Sequence, residues 1–327
     1  MTKEAFPIIA DALPRASYFK QIYMSMALDR FVRSVETAQL NLHSLMIVHH
    51  GEVVAEKWWP PHQSHEPHEL FSISKCFCST AVGMAVEDGL LSVHDRVISF
   101  FPSCQSPAIE QNMGSLRISH LLTMSIGHAK DPTNQIVRHT EDGDWVKAFL
   151  ETPLKDPPGS KFVYNNAAGY MLSAILQTVT GESLLDYLRP RLFEPLGMER
   201  VSWDTCPKGI NTGGWGLSLT TEDIAKFGQL YLCKGNWNGR QLLSEKWIDT
   251  ATSQQISTLT MNGLDKRLGY GYMFWRCRHG GFCGRGAEGQ FCIVLPKKDA
   301  VIVIMAEEKR MQAILDLVWV QLLPALV

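Results

Sequence analysis

Segments that read as strands stand at the two ends of this chain, and the long middle reads as helices and loops. Leu45 to Val48 and Val53 to Ala55 flank His50-Gly51, a tight-turn signal. Much later the same signal returns in Tyr270 to Arg276, Phe282 to Gly284, Gln290 to Leu295 and Val301 to Met305, with Pro296 to Asp299 as a turn. Between them, roughly residues 72 to 250, helical runs such as Met171 to Val179 and Ile224 to Tyr231 precede Gly181 and Gly235, which suit helix C-termini. Thr220 and Asp223 resemble a capping box. Phe19, Ile22, Tyr23 and Met26 predict an amphipathic first helix, and Met311, Ile314, Leu315, Val318 and Leu322 a last helix covering the sheet. Strands at both ends with helices inside imply a discontinuous sheet domain carrying a helical insertion.

Charge and composition narrow the function. The chain has 327 residues, 45% apolar, and its 31 Lys plus Arg against 33 Asp plus Glu leave a net charge of -2. That balance, without a long basic run, gives no footprint for nucleic acid or anionic lipid. Met1 to Lys20 carries Lys3, Glu4, Asp11 and Arg15 and contains no export-signal apolar stretch. The apolar tail Ala313 to Val327 is interrupted by Asp316, Gln321 and Pro324, too short for a membrane span. The expectation is a cytoplasmic protein whose eight cysteines are buried thiols.

Candidate chemistry begins at Ser72-Ile73-Ser74-Lys75, ahead of a small-residue helical run. Positions i and i+3 share a helix face, so the Lys75 amine can reach the Ser72 hydroxyl and, if partly desolvated, act as its base. The helix N-terminus adds N–H groups where an oxyanion would form. Alone the pattern is weak, since Ser17-Tyr18-Phe19-Lys20 also satisfies it. Tyr164-Asn165-Asn166 is the only Tyr-x-Asn in the chain. A phenol beside an ammonium ionises more readily and can relay a proton, and Asn166 offers a donor and an acceptor to a substrate carbonyl or to Lys75. Tyr164 also suits a core position. The glycine-rich run Phe282 to Gln290 marks either a close backbone approach to a ligand or a plain hairpin turn.

At these residues the sequence resembles the serine β-lactamase-like family: penicillin-recognising hydrolases, class C β-lactamases, and related esterases and amidases such as 6-aminohexanoate-dimer hydrolase. The resemblance spans about Leu40 to Ala306. It also includes Leu121-Leu122-Thr123-Met124-Ser125-x-Gly127, Pro158-Gly159-Ser160-Lys161-Phe162-x-Tyr164, Pro195-Leu196-Gly197-Met198 and Gly213-Gly214-Trp215-Gly216-Leu217. It implies an α+β fold of β-lactamase/transpeptidase type, with a five-stranded antiparallel sheet flanked by helices. Residues 1–75 and 251–327 would form the sheet domain, 76–250 the mainly helical insertion, with the active site between them. It implies that Ser72 is acylated, that Lys75 and Tyr164 move its proton, and that Asn166 positions substrate. The strand triad, Lys-Thr-Gly or His-Thr-Gly in β-lactamases and peptidases, is replaced by Gly284-Arg285-Gly286. This departure resembles the esterase and amidase branch, and would leave the Ser72 and Ala287 N–H groups as oxyanion donors and Arg285 as a possible carboxylate ligand.

The expected activity is therefore hydrolysis of a small ester or amide through an acyl-enzyme on Ser72, with no cofactor. A β-lactamase or D-amino-acid peptidase is the alternative within that class, and a non-catalytic scaffold the alternative outside it; the joint Ser, Lys and Tyr set argues against the scaffold. No metal is expected. His62, His65 and His68 are spaced three apart, but Pro60, Pro61 and Pro67 oppose a helix there and no Cys or carboxylate set completes a site. Neither His-Glu-x-x-His nor Gly-x-Ser-x-Gly occurs. Cys76 and Cys78 are read as packing thiols, and His128 and Trp215 as structural.

Overall fold

A computed structural model describes residues 12–140 and 142–327. Met1 to Asp11, part of the segment read for an export signal, and the Phe19 side chain lie outside the described residues. Helix α1 (Tyr18–Thr37) leads into the hairpin of β1 (Leu42–His49) and β2 (Glu52–Trp58). His50 and Gly51 both take positive φ, 53° and 77°, the left-handed pair that matches a two-residue turn to strand twist. A short strand β3 (His68–Glu69) precedes helix α2 (Ser74–Glu87). The central region includes α3 (Asn166–Thr180), β4 (Ser202–Trp203), β5 (Leu217–Leu219) and α4 (Thr221–Leu232). The chain then returns through β6 (Trp275–Arg276), β7 (Phe282–Gly286), β8 (Gln290–Leu295), β9 (Ala300–Ala306) and α5 (Met311–Leu317).

The two ends meet at the centre of one antiparallel sheet of order β2-β1-β9-β8-β7-β6. β1 pairs with β9 from Leu42↔Ala306 to His49↔Ala300, which joins the first hairpin to the last strands. This is the expected sheet with a sixth, two-residue edge strand. Of the predicted run Tyr270 to Arg276 only Trp275–Arg276 joins the ladder. Met273 takes a φ of 68°, which bends the chain out of register, and Tyr270 bridges Ile256 instead.

Every residue of β9 is buried, because helices cover both faces of the sheet. On one face α4 lies so close that a Cβ at Gly228 would sit 2.5 Å from Val301 Cγ1. On the other, Ile314 of α5 reaches the Ala306 side. Of the stripe predicted for the last helix, Ile314, Leu315, Val318 and Leu322 are buried and Met311 is half-buried. For α1 the reading needs correction: Tyr23 and Met26 are 81% and 64% exposed, and the buried stripe is Met24, Ala27, Phe31 and Val35. Both stripes have helical spacing, and contact with β2 and the C-terminal helix decides which one faces inward.

The Thr220–Asp223 capping box forms at the start of α4, and Gly181 ends α3 in the left-handed conformation. The eight cysteines are thiols, and six of them are buried. Among the described residues no helix is long and apolar enough to cross a membrane.

Candidate active site

Ser72 stands in a turn just before α2, and the backbone there is bent on purpose by its neighbours. Phe71 takes φ 47°, a left-handed conformation that a bulky residue holds only when its surroundings fix it. Ser74 supplies part of that fixing. Its hydroxyl donates to the Phe71 carbonyl at 2.6 Å and accepts from the Leu217 N–H at 3.2 Å, which ties the turn to β5. The Ser72 side chain is thereby half-buried one turn ahead of Lys75.

Lys75 is 1% exposed, and its amine touches three oxygens. Nζ lies 2.8 Å from Ser72 Oγ, 2.6 Å from Asn166 Oδ1 and 2.6 Å from the Gly214 carbonyl. Burial disfavours the ammonium and brings its pKa down to about 7, although the Asp131 carboxylate pulls the other way. Gly214 has a steric reason to be glycine, since a Cβ there would lie 2.5 Å from the Asn166 carbonyl oxygen.

The Asn166 amide is oriented by Asp131. Its Nδ2 donates to Asp131 Oδ2 at 2.8 Å and its backbone N–H to the same oxygen at 3.2 Å, so Oδ1 is turned toward Lys75. Asp131 in turn accepts from Thr133 Oγ1 at 2.5 Å. Sequence reasoning did not reach Asp131, because an aspartate before Pro132 and Thr133 reads as an ordinary helix start. Asn166 is engaged on both amide edges by protein groups.

Tyr164 lies beside this cluster with its ring 5.0 Å from Lys75 Nζ and stacked on Trp275 at 5.8 Å. Burial pushes the phenol well above its ordinary range, with the Ser72 hydroxyl acting in the opposite direction. The expected easy ionisation of the phenol therefore does not follow from its surroundings: the pair is a neutral phenol and a lysine that is readily neutral. Phe162, Tyr270 and Trp275 continue an aromatic wall from Tyr164.

The third segment approaches through its backbone. On β7 alternate residues face opposite sides of the sheet. Gly284 and Gly286 face α2 and the turn before it: a Cβ at Gly284 would meet Cys76 Sγ at 2.9 Å, and one at Gly286 the Leu70 carbonyl oxygen at 2.3 Å. Arg285 points to the other face, where it is 7% exposed. Its guanidinium donates to the Asp265 carbonyl at 2.8 Å and to Cys283 Sγ at 3.2 Å, and lies 5.5 Å from the Trp275 ring. Ala287, just past β7, is exposed in a turn whose next residue, Glu288, has φ 60°.

His128 is buried against Asn165, 2.9 Å from its Nδ2, with its pKa lowered to about 4 chiefly by burial. Trp215 stacks near Trp145 and its carbonyl accepts from Trp203 Nε1. Both hold the helical region together.

A six-stranded antiparallel sheet interrupted by helices, with a serine, lysine and tyrosine gathered ahead of the first helix after its opening hairpin, defines a class of serine β-lactamase-related hydrolases. The Beta-lactamase family model matches residues 30–318, and the chain belongs to that family. The chain is 24% identical over 280 residues to a 6-aminohexanoate-dimer hydrolase of Paenarthrobacter ureafaciens, covering 80% of this chain and 71% of that protein. It is 24% identical over 229 residues to a putative D-alanyl-D-alanine carboxypeptidase of Escherichia coli, covering 63% of this chain and only 52% of the relative. The solved structure of EstCE1, a hydrolase with promiscuous acyltransferase activity, superposes with a TM-score of 0.78 at 15% identity, covering 94% of this chain and 99% of that one. Fold and relatives together make the protein a β-lactamase-fold hydrolase.

Proposed function

We propose that the protein hydrolyses a short-chain ester or uncharged amide through an acyl-enzyme on Ser72. The observation that carries this is the set of partners around Lys75 Nζ. A neutral amine has two N–H bonds and one lone pair. Asn166 Oδ1 and the Gly214 carbonyl are oxygens that only accept, so they take the two N–H bonds and leave the lone pair facing Ser72 Oγ. Near neutral pH the amine is free to take that role, as its lowered pKa of about 7 requires.

In the reaction the Ser72 proton passes to Lys75 as Oγ bonds to the acyl carbon. The negative charge that develops on the acyl oxygen falls to the N–H groups of Ser72 and Ala287, an assignment supported by the close packing of Gly286 on the Leu70 carbonyl. Tyr164, whose ring lies beside Lys75, hands its proton to the leaving alkoxide or amine and regains one from Lys75. Water then enters by the reverse route: it gives a proton to Lys75 as its oxygen bonds to the acyl carbon, and Ser72 Oγ leaves with the proton that Lys75 hands on.

The preference for uncharged substrates rests on two features. Gly284-Arg285-Gly286 offers neither the cation nor the hydroxyl of the Lys-Thr-Gly triad in the same positions, and Arg285 is turned away and hydrogen-bonded. The wall beside Ser72 is aromatic. Specificity constants for acetate and butyrate esters against a chromogenic cephalosporin test the choice, and a cephalosporin preference would overturn it. A phosphonate probe followed by peptide mapping tests the nucleophile: the adduct is expected on Ser72, and labelling that persists in Ser72→Ala would sink the mechanism.

A further inference from the structure

The histidine spacing in the loop before the active site misses the residue that completes a cluster. His65 is exposed and takes no part; its place is filled by His43, which β1 delivers from the sheet. His43 Nδ1 lies 2.5 Å from His68 Nε2, and the His43 and His62 rings stack with centroids 3.7 Å apart. One ring nitrogen from each of the three falls within 4.8 Å of the others. His43 is 7% exposed, and His62 and His68 are half-buried.

We propose that His43, His62 and His68 bind a divalent transition-metal ion of the zinc type, with a water in the fourth position. Three imidazoles suit such an ion, and ring nitrogens bound at about 2.0–2.1 Å on a tetrahedral centre stand about 3.3 Å apart. Reaching that spacing needs shifts of about an ångström, which opens the tight His43–His68 pair and draws in His62 from its loop. The His68 tautomer is already set. Its Nδ1 lies 3.2 Å from the Glu69 carbonyl, and an N–H donated there leaves the Nε2 lone pair facing His43. A carbonyl on the far nitrogen is the usual outer support of a metal-bound histidine.

The ion would tie together three stretches: the start of β1, the loop between β2 and β3, and β3 itself. β3 pairs with β5 through only His68↔Leu219 and Glu69↔Ser218, and it runs straight into the turn that carries Ser72. The role is structural, and hydrolysis does not depend on it in the mechanism above.

Zinc titration of the untagged, chelator-treated full chain is the test, by calorimetry and by thermal unfolding. One equivalent should bind with a Kd in the micromolar range or tighter and raise the Tm by a few degrees at saturating zinc. Cobalt should give the d–d bands of a four-coordinate nitrogen and oxygen site without a thiolate charge-transfer band. His62→Ala and His68→Ala should each weaken binding at least about tenfold. His65→Ala should bind as the wild type does, and it guards against a general effect of loop mutation. Absence of binding at 100 µM zinc (roughly a hundredfold above a micromolar Kd), binding unchanged in both variants, or a thiolate band with cobalt would each refute the site.

Discussion

Two sides of the proposed active site are built by different means. On the helical side, Ser72, Lys75, Asn166 and Asp131 act through side chains, and each hydrogen bond has a named partner. On the strand side, β7 presents backbone: its glycines press against Leu70 and Cys76 while the side chain between them, Arg285, is directed away. The helical side depends on which atoms the residues carry, and the strand side on how closely a chain without side chains can approach. Substitutions should therefore fail differently on the two sides.

The largest effect belongs to the helical side. Lys75→Met is expected to lower kcat/KM by on the order of 10³. Adding Tyr164→Phe should cost far less than its separate effect, because both belong to one proton relay from Ser72 to the leaving group. Additive losses in the double variant would mean that the two residues work in separate steps.

Next comes the strand side. Gly286→Ala puts a methyl where only 2.3 Å separates it from the Leu70 oxygen, so the end of β7 must move back from Ser72. A loss of about 10² in kcat with little change in KM is expected if Ala287 donates to the oxyanion. A rate near wild type in a folded Gly286→Ala protein would remove that donor from the mechanism.

Smaller is the effect of Asp131→Asn. The acid limb of the wild-type rate should lie near pH 7, with activity rising as Lys75 loses its proton. Because Asp131 favours the ammonium, removing its charge should move this limb to lower pH and cost about tenfold in rate through misorientation of Asn166. A limb that moves up or stays fixed would assign the titration to another group.

The last effect is on stability and not on rate. Lys75 has a folded pKa of about 7 against 10.5 for the exposed amine, so between these values the unfolded chain binds the extra proton. Stability from this group thus rises as pH rises from about 7 toward 10.5, and the burial penalty is fully present below 7. Relative to Lys75→Met, the wild type should gain a few kcal/mol over that window in denaturant unfolding. A difference independent of pH would contradict the buried, neutral amine.

Much of the helical side was legible from residue types at fixed spacing, since Ser72 and Lys75 share a helix face wherever that helix lies. The Asn166–Asp131 contact was not, because it joins a helix start to a loop 35 residues earlier. The first helix marks the same limit: its two candidate stripes differ only in what packs on them.

By itself, then, the sequence determined the strands β1, β2, β7, β8 and β9 and the last helix, that Ser72 has a lysine one turn on, and that β7 carries no cation at the first position of the triad. These properties rest on periodicity and on local chemistry along the chain. Only the tertiary structure decided that Asn166 and Gly214 absorb the two N–H bonds of Lys75, that Arg285 turns away from the helix that carries Lys75, and that His43 joins His62 and His68. Each depends on which faces of separate elements meet once the ends of the chain close into one sheet, and a hydrogen bond or close contact is felt only over a few ångströms of space, whatever the separation along the chain.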